Sequence, residues 1–249
     1  MQRNKTIKKV TLIIPSIAGG GAEKMVINLA NELAKKINKV TILSLTYYSD
    51  YESLINKKVK LIKLPFTRIR FSWFILLKYL IKEKHHTIIS FTRDTNVILG
   101  CLNILLISRH DLIFREETIK ACREYLDKNY KENFLYRLFM TLIYLNSRCI
   151  ISQCKEMERD IKKMLFFNFS EFQIITNPII KDNLNINLIK RIEDPWFKNK
   201  NIKVILFLGR LAKIKNIQTI IKAFNKLKIY FPNTRLMICG EGKEEKRLK

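Results

Sequence analysis

Three consecutive glycines, Gly19, Gly20 and Gly21, separate the run KVTLIIP (9–15) from a stretch of helical periodicity, in a chain with seven glycines in all. A glycine there lets the backbone approach a ligand closely or take a positive φ. The helix N-terminus that follows offers free N–H groups and a positive dipole end, both suited to phosphate. The spacing is not G-x-G-x-x-G, so the dinucleotide fingerprint is absent, and a tight turn that needs small residues is the plainer alternative. Gly209 closes the run VILFLG, Gly240 closes LMICG, and Gly242 follows two positions later. Six of the seven glycines thus fall at three strand-to-helix turns, where α/β sheets bind ligands. That placement favours backbone–ligand contact in two α/β units, with a cleft between them.

Other reactive side chains carry weaker signals. The three histidines are His85, His86 and His110; the first two sit at a helix–strand junction and the third just before a strand, so core or surface roles outweigh general-base chemistry. Five cysteines, Cys101, Cys122, Cys149, Cys154 and Cys239, form no C-x-x-C pair and have no histidine at zinc-ligand spacing. They read as thiols of a reducing compartment, and no metal site is expected.

The elements that must position these residues alternate. β-Branched runs at 9–15, 39–45, 59–65, 87–91, 111–114, 149–152 and 172–176 are separated by helical patterns at about 22–37, 72–84, 94–106, 118–146 (two stretches) and up to 165. Such alternation predicts a parallel sheet covered on both faces. The polar, Asn-rich segment 181–202 with Pro195 reads as a linker. A second strand–helix–strand unit then starts at Lys203, with a helix from about Asn216 to Phe231 and Pro232 as its stop. The expected organisation is an α/β Rossmann-like domain over 1–180, a linker over 181–202 and an incomplete second Rossmann-like domain over 203–249.

Composition is globular, with 47% hydrophobic and 28% charged residues. The net charge of +25 attracts phosphate in some form: nucleotide, nucleic acid or anionic lipid. A general drift toward Lys, Ile and Asn would also produce it. Nucleic acid is disfavoured, because basic and aromatic residues are not interleaved as in a stacking groove and no recognition motif occurs. The longest uncharged stretch, Thr95–Ser108, has 14 residues, short of a membrane span, and the apolar run near the N-terminus is too short for a signal peptide. These features predict a cytoplasmic protein.

At GGGAEKMVINLANELA, IITNPI, FLGRLAKIKNIQTIIKAF and LMICGEGKEEKRL the sequence resembles the family 4 glycosyltransferases, in matching order along nearly the whole chain. IISFTRDTN, LIFREET and IISQCKEMERDI look like the amino-terminal domain of enzymes that build surface polysaccharides. The resemblance implies the GT-B fold and transfer of a hexose from a nucleotide-sugar to a lipid-linked or polysaccharide acceptor, with no cofactor and no metal; no D-x-D motif is present. It places Gly20 and Gly21 near the donor diphosphate and the acceptor, matches Arg210 and Lys215 to the basic pair that neutralises that diphosphate, and sets Gly240, Glu241 and Gly242 beside the nucleotide. Two fixed cations stabilise a departing nucleoside diphosphate most when its charge is largest. Arg115 and Glu116 close a strand on the acceptor side; a buried Arg–Glu pair that holds the loop fits them equally well.

The family's closing half-domain, with its glutamate pair for donor sugar and ribose, has no counterpart after Gly242. A truncated or split glycosyltransferase is therefore expected, weak alone, with a separate C-terminal half as partner; the alternative is a non-catalytic remnant or binding subunit. One further surface stands out. Phe71, Trp73, Phe74, Ile75, Leu76, Leu77, Tyr79, Leu80 and Ile81 are more apolar residues than one buried helix face needs, and Arg68, Arg70, Lys78, Lys82 and Lys84 surround them. This predicts peripheral binding at the inner face of a membrane.

Overall fold

The computed structural model describes residues 7–83, 85–107, 110–117, 134–167, 170–177 and 193–248, in two units that divide between Ile179 and Ile180. In the first unit the β-branched runs become β1 (Lys9–Ile14), β2 (Lys39–Ser44), β3 (Val59–Lys63), β4 (Thr87–Phe91), β5 (Asp111–Arg115), β6 (Ser147–Ser152) and β7 (Glu171–Ile174). They form one parallel sheet in the order β3-β2-β1-β4-β5-β6-β7.

Alternate residues of a strand face opposite sides, and β1 shows why the run has almost no polar member. Val10, Leu12 and Ile14 enter one core with Met25, Val26, Ile27 and Ala30 of helix α1 (Gly21–Leu33). Ile13 enters the other core with Leu76 and Leu80 of α2 (Trp73–Lys82) and Leu99 and Leu102 of α3 (Arg93–Leu105). Met140, Ile143 and Tyr144 of α4 (Phe134–Leu145) and Met157 and Ile161 of α5 (Lys155–Met164) extend that second core. Gly100 of α3 lies so close to α4 that a Cβ would stand 2.4 Å from Cγ2 of Ile143. The chain therefore winds out from β1 to β3, returns along α2 to β4 and continues the other way. Strand order reverses between β1 and β4, the switch point where open α/β sheets form a crevice at the carboxyl ends.

In the second unit, α6 (Pro195–Lys198) is capped by Asp194, whose carboxylate accepts the Trp196 N–H at 2.8 Å. β8 (Lys203–Leu208) and β9 (Thr234–Cys239) pair in parallel, joined by α7 (Ile217–Tyr230), and α8 (Glu245–Leu248) follows. The β8 side chains Ile205, Leu206 and Leu208 are 40%, 55% and 79% exposed, unlike the buried strands of the first unit. The expected linker is thus in part a capped helix, and its residues 181–192 lie outside the described residues, as do Cys122 and the first of the two helical stretches expected over 118–146.

Candidate functional site

The loop from β1 to α1 is held from below. Thr46 donates its hydroxyl to the Pro15 carbonyl at 2.9 Å, Ile17 donates its N–H to the Tyr48 carbonyl at 3.2 Å, and the Ile17 side chain is fully buried. Above that anchor the glycines are bare. Gly20 is the N-cap of α1 and, lacking a side chain, leaves the first turn without a side-chain cap. A Cβ on Gly21 would meet nothing within 4 Å, and one on Gly20 would meet only the mobile carboxylate of Glu23. Internal packing therefore does not demand glycine at either position.

Beside this loop, the carboxyl ends of β4 to β7 carry two polar networks. Thr92, at φ 77°, turns the chain out of β4 into α3. The Glu116 carboxylate, 1% exposed, accepts from Arg93 Nε at 3.3 Å, from Asn96 Nδ2 at 3.0 Å and from the Tyr144 hydroxyl. Burial disfavours a charged Arg93, but Glu116 together with Tyr144 and Tyr136 outweighs it, and the guanidinium pKa rises. Burial and the neighbouring Glu116 charge both push the Tyr144 hydroxyl well above its ordinary value. Arg93 Nη1 and the Ser152 hydroxyl are buried and have no hydrogen-bond partner among the described residues.

Arg115 does not pair with Glu116. Its Nε donates to Glu117 at 3.0 Å and its Nη2 donates to Asn177; Gln153 donates to Glu117 at 2.7 Å and accepts from Asn177 at 3.1 Å. Adjacent strand residues point to opposite faces, so the two side chains serve different networks. Burial raises the Glu117 carboxyl, and Arg115 offsets only part of that. The histidines lie at the opposite, amino ends of the strands. His86 precedes β4 with its ring nitrogen 2.9 Å from the Thr11 hydroxyl, and His110 precedes β5 with its ring nitrogen 3.0 Å from the Leu80 carbonyl.

In the second unit the turn after β8 and the turn after β9 interlock. Leu211 donates its N–H to the Glu241 carbonyl at 2.8 Å, and Glu244 donates its own to the Leu211 carbonyl at 3.0 Å. A Cβ on Gly240, at φ 153°, would sit 1.9 Å from the Gly209 carbonyl oxygen, and one on Gly242 would sit 2.3 Å from that of Leu211. Here the backbones approach too closely for any side chain. The pair of turns brings Gly209 and Arg210 next to Gly240, Glu241 and Gly242, and leads into the short turn Lys213–Lys215 and the left-handed Asn216 that starts α7. Arg210 and Lys215 are exposed, with no acidic partner among the described residues.

Sequence reasoning did not single out Arg93, Asn96, Glu117, Tyr144, Gln153 or Asn177. Their signal was position: all but Tyr144 lie just past, or within a turn of, the carboxyl end of an expected strand. Among the described residues no group of three or more His, Cys, Asp or Glu is placed to hold a metal ion.

The chain has the α/β fold of the GT-B glycosyltransferases. Its structure matches Anabaena Alr3699/HepE, solved with UDP and glucose, with a TM-score of 0.66 at 15% identity over 97% of this chain and 64% of that one. It also matches sucrose-phosphate synthase of Thermosynechococcus elongatus, with a TM-score of 0.63 at 13% identity over 92% of this chain and 62% of that one. Residues 189–249 match the family of glycosyl transferases group 1. Among curated relatives, a Campylobacter jejuni α-1,4-N-acetyl-D-galactosaminyltransferase, named for a diphospho-undecaprenol-linked substrate, is 26% identical over 97% of this chain and 64% of its own length. A Haemophilus influenzae uncharacterized glycosyltransferase is 24% identical over 98% of this chain and 65% of its own. The chain thus spans 63–65% of the length of the curated relatives it matches.

Proposed function

We propose that this chain transfers a sugar from a nucleotide-sugar donor to a lipid-linked acceptor at the cytoplasmic face of a membrane. The observation that carries the reading is the pair of turns in the second unit. Arg210 and Lys215 stand there without acidic partners among the described residues, beside a backbone that its own close packing has stripped of side chains. Cleavage of a sugar–phosphate bond leaves a nucleoside diphosphate whose negative charge grows toward the transition state. Fixed cations that hold that charge lower the barrier without holding the substrate equally tightly. Glu241 and the glycines around it would face the nucleotide. In the first unit, the open space over Gly21, beside Gly20 and the Glu23 carboxylate, suits a diphosphate or acceptor that approaches the start of α1. Arg115 and Glu116 would shape the acceptor side from within, since both are buried. The UDP held by HepE makes uridine diphosphate the first nucleotide to test, and the undecaprenol-linked substrates named for the Campylobacter relatives point to a lipid-linked acceptor.

The test is calorimetry with UDP. Arg210→Ala is expected to weaken binding by about 1.5–3 kcal/mol, roughly 10- to 150-fold. Equal affinity in the two proteins would remove Arg210 from the site. A second reading is favoured by the exposed Ile205, Leu206 and Leu208 of β8: further polypeptide, in the same chain or another, covers this face, and residues 1–249 alone bind donor without transfer. Robust turnover by residues 1–249, with residues 203–249 resistant to limited proteolysis, would exclude that reading.

A further inference from the structure

The helix α2 divides its apolar residues between two environments. Leu76 and Leu80 are fully buried in the core, and Trp73, Leu77 and Tyr79 pack against its margin. Phe71, Phe74, Ile75 and Ile81 point outward, at 52%, 80%, 36% and 48% exposure. Within α2, positions 74, 75, 78 and 82 recur at three- and four-residue spacing, so Phe74, Ile75, Lys78 and Lys82 share one stripe, and Phe71 closes the short turn Ile69–Phe71 just before it. Arg68 and Arg70 stand at its start, with the Arg70 guanidinium 5.0 Å from the Phe71 ring centre. Between Glu52 and Glu83 the sequence holds eight Lys or Arg and no Asp or Glu, and Glu83 itself is engaged by Lys9.

We infer that this stripe is a docking face for an anionic bilayer, with Phe71, Phe74, Ile75 and Ile81 in the interfacial layer and Arg68, Arg70, Lys78 and Lys82 on lipid phosphates. Charge selects the occupant. An apolar stripe with a wholly basic rim repels a second copy of a chain of charge +25 and complements a surface that carries phosphates. Long basic side chains can rise to the headgroups while the rings stay deeper. Topology adds a purpose within the first unit. The segment between Lys63, at the carboxyl end of β3, and Trp73 lies at the same, carboxyl end of the parallel strands as the loop of Gly19–Gly21, and α2 runs from there back to the amino end of β4. The basic, aromatic start of the helix therefore marks the end of the sheet at which a lipid-linked substrate would enter. This deepens the proposed function and rests on its lipid-linked acceptor.

The test is co-sedimentation of the full chain with phosphatidylglycerol/phosphatidylcholine vesicles. Wild type is expected to sediment at low salt, less as salt rises, and not with phosphatidylcholine alone. Phe74→Ser, which leaves the charge unchanged, should lower the partition coefficient at least about tenfold. Lys78→Gln with Lys82→Gln should lower it about thirtyfold. Lys222→Gln with Lys226→Gln, the same charge change on α7, should lower it far less. Equal losses for the two lysine pairs would reassign binding to diffuse charge and overturn the inference. So would wild type that stays in the supernatant with anionic vesicles, or a dimer in sedimentation velocity that Phe74→Ser abolishes. UDP calorimetry on the same preparations keeps this outcome separate from the donor site: a protein that binds UDP but no vesicle refutes the docking face alone.

Discussion

Replacement of Arg93 by methionine tests whether the network at the carboxyl ends of β4 and β5 is a structural keystone. Arg93 and Glu116 are 4% and 2% exposed in their side chains, and the guanidinium meets the carboxylate through Nε and Nη2, both at 3.3 Å. At that separation one opposite-charge pair is worth about 5 kcal/mol at an effective dielectric near 20. Most of that offsets the desolvation of both groups, so the intact pair adds little net stability. Its rupture is another matter: Arg93→Met leaves a buried carboxylate with Asn96 and Tyr144 as its side-chain donors among the described residues, and loss of one partner of a buried pair costs about 3–5 kcal/mol. For a domain of this size each kcal/mol moves Tm by about 2–4 °C, so the melting point of the first unit should fall by roughly 6–20 °C. Calorimetric melting measures this directly. The double variant Arg93→Met/Glu116→Gln removes the stranded charge yet keeps acceptors for Tyr144 and Asn96, and should recover at least half of the loss. A single-variant shift under about 3 °C, or a double variant no better than the single, would refute the claim that an unpaired charge is the cause.

The two kinds of glycine should separate cleanly. Gly21→Ala meets no atom within 4 Å and sits in α1, so it should keep or raise stability by up to about 1 kcal/mol while it weakens UDP binding; unchanged binding would argue that no ligand approaches there. Gly240→Ala, driven into the Gly209 carbonyl, should lose stability in the second unit by about 2 kcal/mol or more, read by proteolysis of residues 203–249. Gly100→Ala should cost about 1–3 kcal/mol from the collision with Ile143, partly offset by helix propensity; a stabilised protein would show that α3 and α4 part easily. Glu117 has a raised pKa in the fold, so the folded state binds its proton more tightly than the unfolded chain does. Its contribution is therefore greatest below the unfolded pKa and lost as pH rises through the folded one; relative to Glu117→Gln, wild type should lose Tm as pH rises through that window.

Strands were legible because a parallel sheet buried on both faces leaves little room for polar residues. KVTLII could hardly be anything else, whereas its register with TIIS, Val10 opposite Thr87, is not fixed by burial on both faces and had to come from the structure. The surplus of aromatics around Phe74 was legible for the same reason, since a helix on a sheet buries only one side. The Glu116 network was not. Arg93, Asn96 and Tyr144 look like ordinary solvated or core residues until parallel pairing sets Phe91 beside Arg115 and so brings α3 to the end of β5. Asp194–Pro195 illustrates a different miss: it is a cap followed by a helix-starting proline, hidden inside a segment whose composition spoke for a linker. Arg210, Lys215 and the glycines of 240–242 were legible as members of turns, but the interlock of those turns is a property of the β8–β9 pairing alone.

The sheet order also sets a timetable for synthesis. β1 lies between β2 and β4, yet its partners arrive far apart: Val10 pairs with Val40 on one side and with Thr87 on the other. At about 5–20 residues per second on the ribosome, β2 follows within about 2–6 seconds and β4 only after about 4–15. Until then one edge of the most apolar strand of the first unit is an open template for other nascent chains. Slow translation through the basic segment before α2 would lengthen that window, so the yield of soluble protein depends on elongation speed over residues 57–86 as well as on the stability of the finished fold.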